Sequence, residues 1–82
     1  MVTILGVKLL NRKLLSLKFQ EILTEYGCSI GSRIGLHNTS HNKCYPYGLV
    51  LLEIVDDEVV EELELKLCQL NEIEIQKMVF KF

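Results

Sequence analysis

Apolar and polar positions alternate between two periods along this chain, and the switches mark its elements. Residues 2–10 (VTILGVKLL) form a short apolar run rich in β-branched side chains, which predicts a strand. Gly6 within it suggests a bulge or a close backbone approach. The period then changes. Leu15, Phe19, Ile22, Leu23 and Tyr26 recur at i, i+4, i+7, i+8 and i+11, one stripe of an α-helix. Asn11 stands where an N-cap belongs, because its side chain can accept from the first free helical N–H groups. Gly27 follows the stripe at the position where a helix-ending residue adopts positive φ. The pattern predicts a helix over 12–26.

Period two returns at Cys28. Cys28, Ile30, Ser32, Ile34 and Leu36 alternate with Ser29, Gly31, Arg33, Gly35 and His37, which predicts a strand with one mostly apolar face. Residues 37–46 (HNTSHNKCYP) are polar, carry the only proline and read as a long loop between two antiparallel strands. Residues 47–55 (YGLVLLEIV) are nearly continuous in apolar side chains, as a strand buried on both faces would be. Asp56 and Asp57 then offer an N-cap and favourable charge at a helix start. Val60, Leu63, Leu67 and Leu70 follow at i, i+3, i+7 and i+10, predicting a helix over 57–70 that Asn71 can end in the left-handed conformation. Residues 73–82 alternate well enough for a last strand.

The order strand, helix, strand, strand, helix, strand within 82 residues is that of one α+β domain spanning 1–82. It is the ferredoxin-like βαββαβ arrangement, a four-stranded antiparallel sheet with both helices on one face. The opposite sheet face would then meet water, yet the first and third strands are apolar on both sides. That mismatch predicts a second molecule on the open face, giving a homo-oligomer, a dimer or a tetramer. A short chain needs such help, since a domain of this size buries only about 60–65% of its unfolded surface.

Composition narrows the function classes. Nine Lys and Arg stand against eleven Asp and Glu, for a net charge of −2, and no basic stripe points to nucleic acid. The longest apolar run falls far short of the roughly 20 residues of a membrane span, and no basic amphipathic helix leads the chain toward a membrane surface. Three cysteines are an odd number, and Met1 is followed by a strand-like run rather than a basic leader. Together these favour a reducing cytoplasm over a disulfide framework.

Three groups of residues carry candidate chemistry. His37, His41 and Cys44 form His-x3-His-x2-Cys, an imidazole and thiolate set suited to Zn²⁺, Ni²⁺ or Cu; the alternative is an exposed polar loop that holds nothing. Cys28 and Cys68 read as inert core thiols, one on an apolar strand face and one beside a buried helix stripe. Arg33, between Gly31 and Gly35, can grip a carboxylate bidentately or pair with Glu53 on the neighbouring strand. A Cys–His nucleophile would need a base and an oxyanion site, and neither is marked, so the chain reads as no enzyme.

Asn11-Arg12-Lys13, an amphipathic helix and then Gly27-Cys28-Ser29-Ile30 resemble the ACT domain pattern of Asp-Arg-Pro-Gly, helix and Gly-x-Asn-Ile. Gln20-Glu21-Ile22-Leu23 and Arg33-Ile34-Gly35-Leu36, with the elements that follow, are similar to a small ACT-like family, the iron-only hydrogenase system regulators. This resemblance implies a regulatory domain that binds a small effector or a partner protein. It also implies a link to transcriptional regulation, though this chain shows no DNA-binding element. It places ligand-binding residues at Asn11, Arg12, Leu14 and Arg33. Leu14 departs from the pattern by placing a side chain where the family's glycine lets a ligand approach the backbone. A classical amino-acid site there is therefore expected to be absent or weak.

Overall fold

The computed structural model describes residues 1–10, 12–36, 39–40, 43–44 and 48–81, with 12–16, 39–40 and 43–44 in backbone alone. Strand β1 (Val2–Leu9) leads to helix α1 (Arg12–Glu25), a 3-10 turn (Gly27–Ser29) and strand β2 (Ile30–Leu36). Two-residue strands β3 (Thr39–Ser40) and β4 (Lys43–Cys44) come next, then strand β5 (Gly48–Ile54). A second 3-10 turn (Asp57–Val59), helix α2 (Val60–Cys68) and strand β6 (Ile73–Phe80) complete the chain. The main sheet has the order β2-β5-β1-β6, with every neighbouring pair antiparallel. This is the ferredoxin-like fold that the element order predicts.

Strict alternation along β1 explains the layering. Thr3, Leu5, Val7 and Leu9 are buried, while Val2, Ile4, Gly6 and Lys8 are half-buried on the other side. Leu52 and Ile54 of β5 join the buried face, and the helix layer closes it with Phe19 and Leu23 from α1, Tyr26 just after it, and Val60, Leu63 and Leu67 from α2. Leu5 lies directly opposite Leu52 with no exposed surface on either. Strand β5 is not buried on both faces in this chain. Leu49 is exposed and Leu51 and Glu53 are half-buried, because the helices cover one side alone.

Several local expectations give way to other geometry. Helix α1 stops at Glu25, and Gly27 enters a 3-10 turn rather than a left-handed cap; no described glycine has positive φ. The second helix divides into the 3-10 turn and α2. Asp56 is its N-cap, with a side-chain oxygen accepting from Glu58 N–H at 3.1 Å. The left-handed residue after α2 is Glu72 (φ 58°), not Asn71. Its carbonyl accepts from Leu10 N–H at 2.8 Å, tying the turn to the end of β1. Register runs unbroken through Gly6, so β1 has no bulge. The irregularity lies in β2, between Ile30 and Ser32. In the stretch expected to be a loop, β3 and β4 pair, with Thr39 opposite Cys44 and Ser40 opposite Lys43.

Candidate functional site

The bulge in β2 decides where Arg33 goes. Without it, Arg33 and Glu53 would share the open face. The extra residue at Gly31 shifts the alternation, so Ser32, Ile34 and Leu36 take the open face, and Arg33 lies opposite Leu52 rather than Glu53. The expected Arg33–Glu53 pair therefore does not form. Arg33 Nη1 instead donates to Gln20 Oε1 of α1 at 3.1 Å. Gly31 is suited to the bulge because a Cβ there would lie 2.7 Å from Val55 Cγ1 and 2.8 Å from Glu53 Oε1.

Between the last turns of α1 and the start of β2 the chain leaves a cleft of about 360 Å³, lined by Leu23, Thr24, Gly27, Ile30, Ser32 and Arg33. Leu23 and Ile30 supply an apolar wall and Thr24 and Arg33 supply polar groups, while Ser32, in the open-face phase of β2, only borders the cleft. Thr24 Oγ1 donates to Gln20 O at 2.9 Å, which leaves its oxygen only an acceptor for other groups. Gly27 adds no side chain.

The walls of the cleft are anchored. Val55 N–H donates to Ser29 O and Ser29 N–H to Tyr26 O, both at 2.9 Å, fixing the 3-10 turn to the end of β5. Tyr26 Oη donates to Glu62 Oε1 of α2 at 2.7 Å. Lys66 Nζ reaches both carboxylate oxygens of Glu25 at 2.9 and 3.0 Å and lies 5.9 Å from the Tyr26 ring centre. The Tyr26 phenol is pushed up to about 12 by its hydrogen bond to the Glu62 carboxylate, then by burial, then by the negative charges of Glu62 and Glu25.

Arg33 is thus the one predicted ligand-binding residue whose side chain is placed in a cavity. Asn11 lies outside the described residues, and Arg12 and Leu14 are described in backbone alone. His37 and His41 also lie outside, and Cys44 is described in backbone alone. Among the described residues no cluster of three His, Cys, Asp or Glu side chains is placed to hold a metal ion. Cys28 and Cys68 are exposed, not core. Cys28 falls in the 3-10 turn before β2 begins, and Cys68 lies on the outward side of α2, where it lines a groove with Glu61, Glu64, Leu65 and Lys77. Sequence reasoning gave Gln20 no role beyond a resemblance motif and did not single out Thr24. The interior glycine of β2 was the available signal for the bulge that brings Arg33 to them.

No protein-family model matches the chain, and no curated protein matches it. Among solved structures, the uncharacterized protein TM1266 from Thermotoga maritima superposes with a TM-score of 0.80 at 20% identity, over 98% of this chain and 96% of that one. The de novo designed protein Foldit4 superposes with a TM-score of 0.54 at 17% identity, over 98% and 97%. Fold and comparisons together define a small ferredoxin-like α+β domain. No described helix is long and apolar enough to cross a membrane.

Proposed function

We propose that this chain is a cytoplasmic, non-catalytic regulatory domain of the ACT-like kind that senses a small carboxylate-bearing ligand in the α1–β2 cleft. The observation that supports this reading is the placement of Arg33 in that cleft beside Leu23 and Ile30. A guanidinium presents a planar fork of donors that matches a carboxylate. Gln20 is its hydrogen-bond partner among the described side chains, through Nη1. The cleft volume suits a small metabolite, at the lower end of ligand-site sizes of roughly 300–1,000 Å³. Binding there joins the end of α1 to an edge strand. A ligand that favours one spacing of α1 and β2 over another shifts the population toward it, by no more than its differential affinity. The ACT resemblance supports a regulatory use of such a site.

Thermal-shift titration with short-chain mono- and dicarboxylates tests the reading. At least one should raise the melting temperature saturably, and Arg33→Met should abolish the shift while retaining the fold. A panel without a saturable response, or a response that Arg33→Met leaves unchanged, overturns it.

A further inference from the structure

The face of the sheet turned away from both helices is a two-dimensional array that the register spells out. Across the order β2-β5-β1-β6, one row reads Ser32, Glu53, Ile4, Met78; the next Ile34, Leu51, Gly6, Gln76; the next Leu36, Leu49, Lys8, Glu74. Val2 and Phe80 stand opposite each other at one end. Ile34 (55%), Leu36 (47%), Leu49 (37%), Met78 (49%) and Phe80 (49%) keep large exposed fractions, and Val2, Ile4 and Leu51 are half-buried. Their exposed apolar area is on the order of 500 Å², near the top of what a soluble monomer shows in one patch.

We infer that this face is the interface between two copies of this chain, stacked sheet on sheet. Size is the first argument. Four strands of seven or eight residues span roughly 19 by 25 Å at ordinary strand spacing. Two such faces bury on the order of 1,000 Å² in total, the threshold of a specific interface. Relief is the second. Ile34 and Leu36 rise along one margin and Met78 and Phe80 along the other. Between them Gly6 has no side chain, and Ile4, Ser32, Ile34, Leu51 and Glu53 line a hollow of about 240 Å³. Marginal ridges and a central hollow interdigitate when two copies cross at an angle, as stacked sheets do.

Charge is the third argument. Lys8 and Glu74 occupy directly opposed positions on β1 and β6, so the face carries opposite signs in register at that end. Glu53 leans over the side-chain-free Gly31, toward the sheet margin. Among the described residues of this face, two carboxylates and one lysine give an anionic lipid surface or a nucleic acid no basic rim to grip, and a second copy meets no concentrated like charge there. This interface lies on the opposite sheet face from the α1–β2 cleft, with the edge residue Ser32 bordering both, and its test does not depend on the proposed ligand.

Sedimentation velocity of the full chain across the micromolar range tests it. The wild type should sediment as a dimer. Ile34→Lys and Met78→Lys should each weaken association by about tenfold or more, with unchanged far-ultraviolet circular dichroism. Leu17→Lys and Leu65→Lys, at the exposed positions of the two helices (70% and 67%), should leave the dimer intact. Protection of the wild-type Met78 methyl group from a soluble paramagnetic agent provides a readout that needs no variant. A wild-type monomer overturns the inference, whether it stays free or partitions onto phosphatidylcholine vesicles. So does a dimer broken by the helix variants and not by the sheet variants, or a fully accessible Met78 methyl.

Discussion

Tyr26 donates its phenolic proton to Glu62 across the helix layer at 2.7 Å, joining the end of α1 to α2. The bond requires a protonated phenol, and the phenol is raised from its ordinary 10.0 to about 12. A tyrosine whose folded value lies above its unfolded value stabilises the fold fully below the unfolded value. The stabilisation is then lost as pH rises through the folded one. Urea midpoints should therefore fall between pH 10 and 12 more steeply for the wild type than for Tyr26→Phe, which has no phenol to ionise. Parallel curves over that window would show that the Tyr26–Glu62 bond does not couple the helices.

The turn after α2 stores strain at Glu72, whose φ is 58°. A residue with a Cβ loses about 1–2 kcal/mol in the left-handed region, and glycine gives back part of that advantage through its freer unfolded chain. Glu72→Gly should raise unfolding free energy by about 0.5–1 kcal/mol. The backbone carbonyl that accepts from Leu10 survives the change. Glu72→Ala should show no such gain, because alanine keeps the Cβ. Urea denaturation of both variants decides it.

The two-cysteine reading is where pattern and structure part most sharply. Period-two alternation from Cys28 assumed that β2 starts there and runs in one phase. The strand starts at Ile30, so Cys28 falls in the 3-10 turn before it and is exposed. Cys68 sits one position from the buried Leu67, and a helix turns about 100° per residue, enough to carry it outside. Both thiols should react with a bulky maleimide in native buffer at rates close to those in urea. Cys28→Ser and Cys68→Ser should each change stability by less than about 0.5 kcal/mol. Protection of either thiol until unfolding would restore the core assignment.

Element order, both helix stripes and the unusual open face were legible because hydrophobic period survives small errors of boundary. Phe19, Leu23, Leu63 and Leu67 are buried as their spacing predicts. What escaped was set by tertiary geometry. The phase reset at Gly31 depends on β5 as partner, and it moved Arg33 from Glu53 to Gln20. Likewise Asn71 has the better propensity for the left-handed conformation, yet Glu72 adopts it where the chain turns to meet Leu10. The α1–β2 cleft joins residues up to ten positions apart on two elements, and no spacing rule links Leu23 to Arg33 before the sheet is built.

Gly31 and Val55 provide the sharpest test of that phase reset. A Cβ on residue 31 would lie 2.7 Å from Val55 Cγ1, closer than side chains pack, whereas the second close atom, Glu53 Oε1, ends a flexible chain that can swing away. Gly31→Ala should therefore destabilise by about 1–3 kcal/mol, in the range of overpacking. The valine is the obstacle that remains, so Val55→Ala, itself mild at an exposed position, should recover much of that loss in the double variant. The coupling energy from the four urea curves should be about 0.5 kcal/mol or more and of the sign that marks relief. Additive effects would mean that residue 31 does not face Val55. The bulge would then lie elsewhere, and Arg33 would return to the face it shares with Glu53.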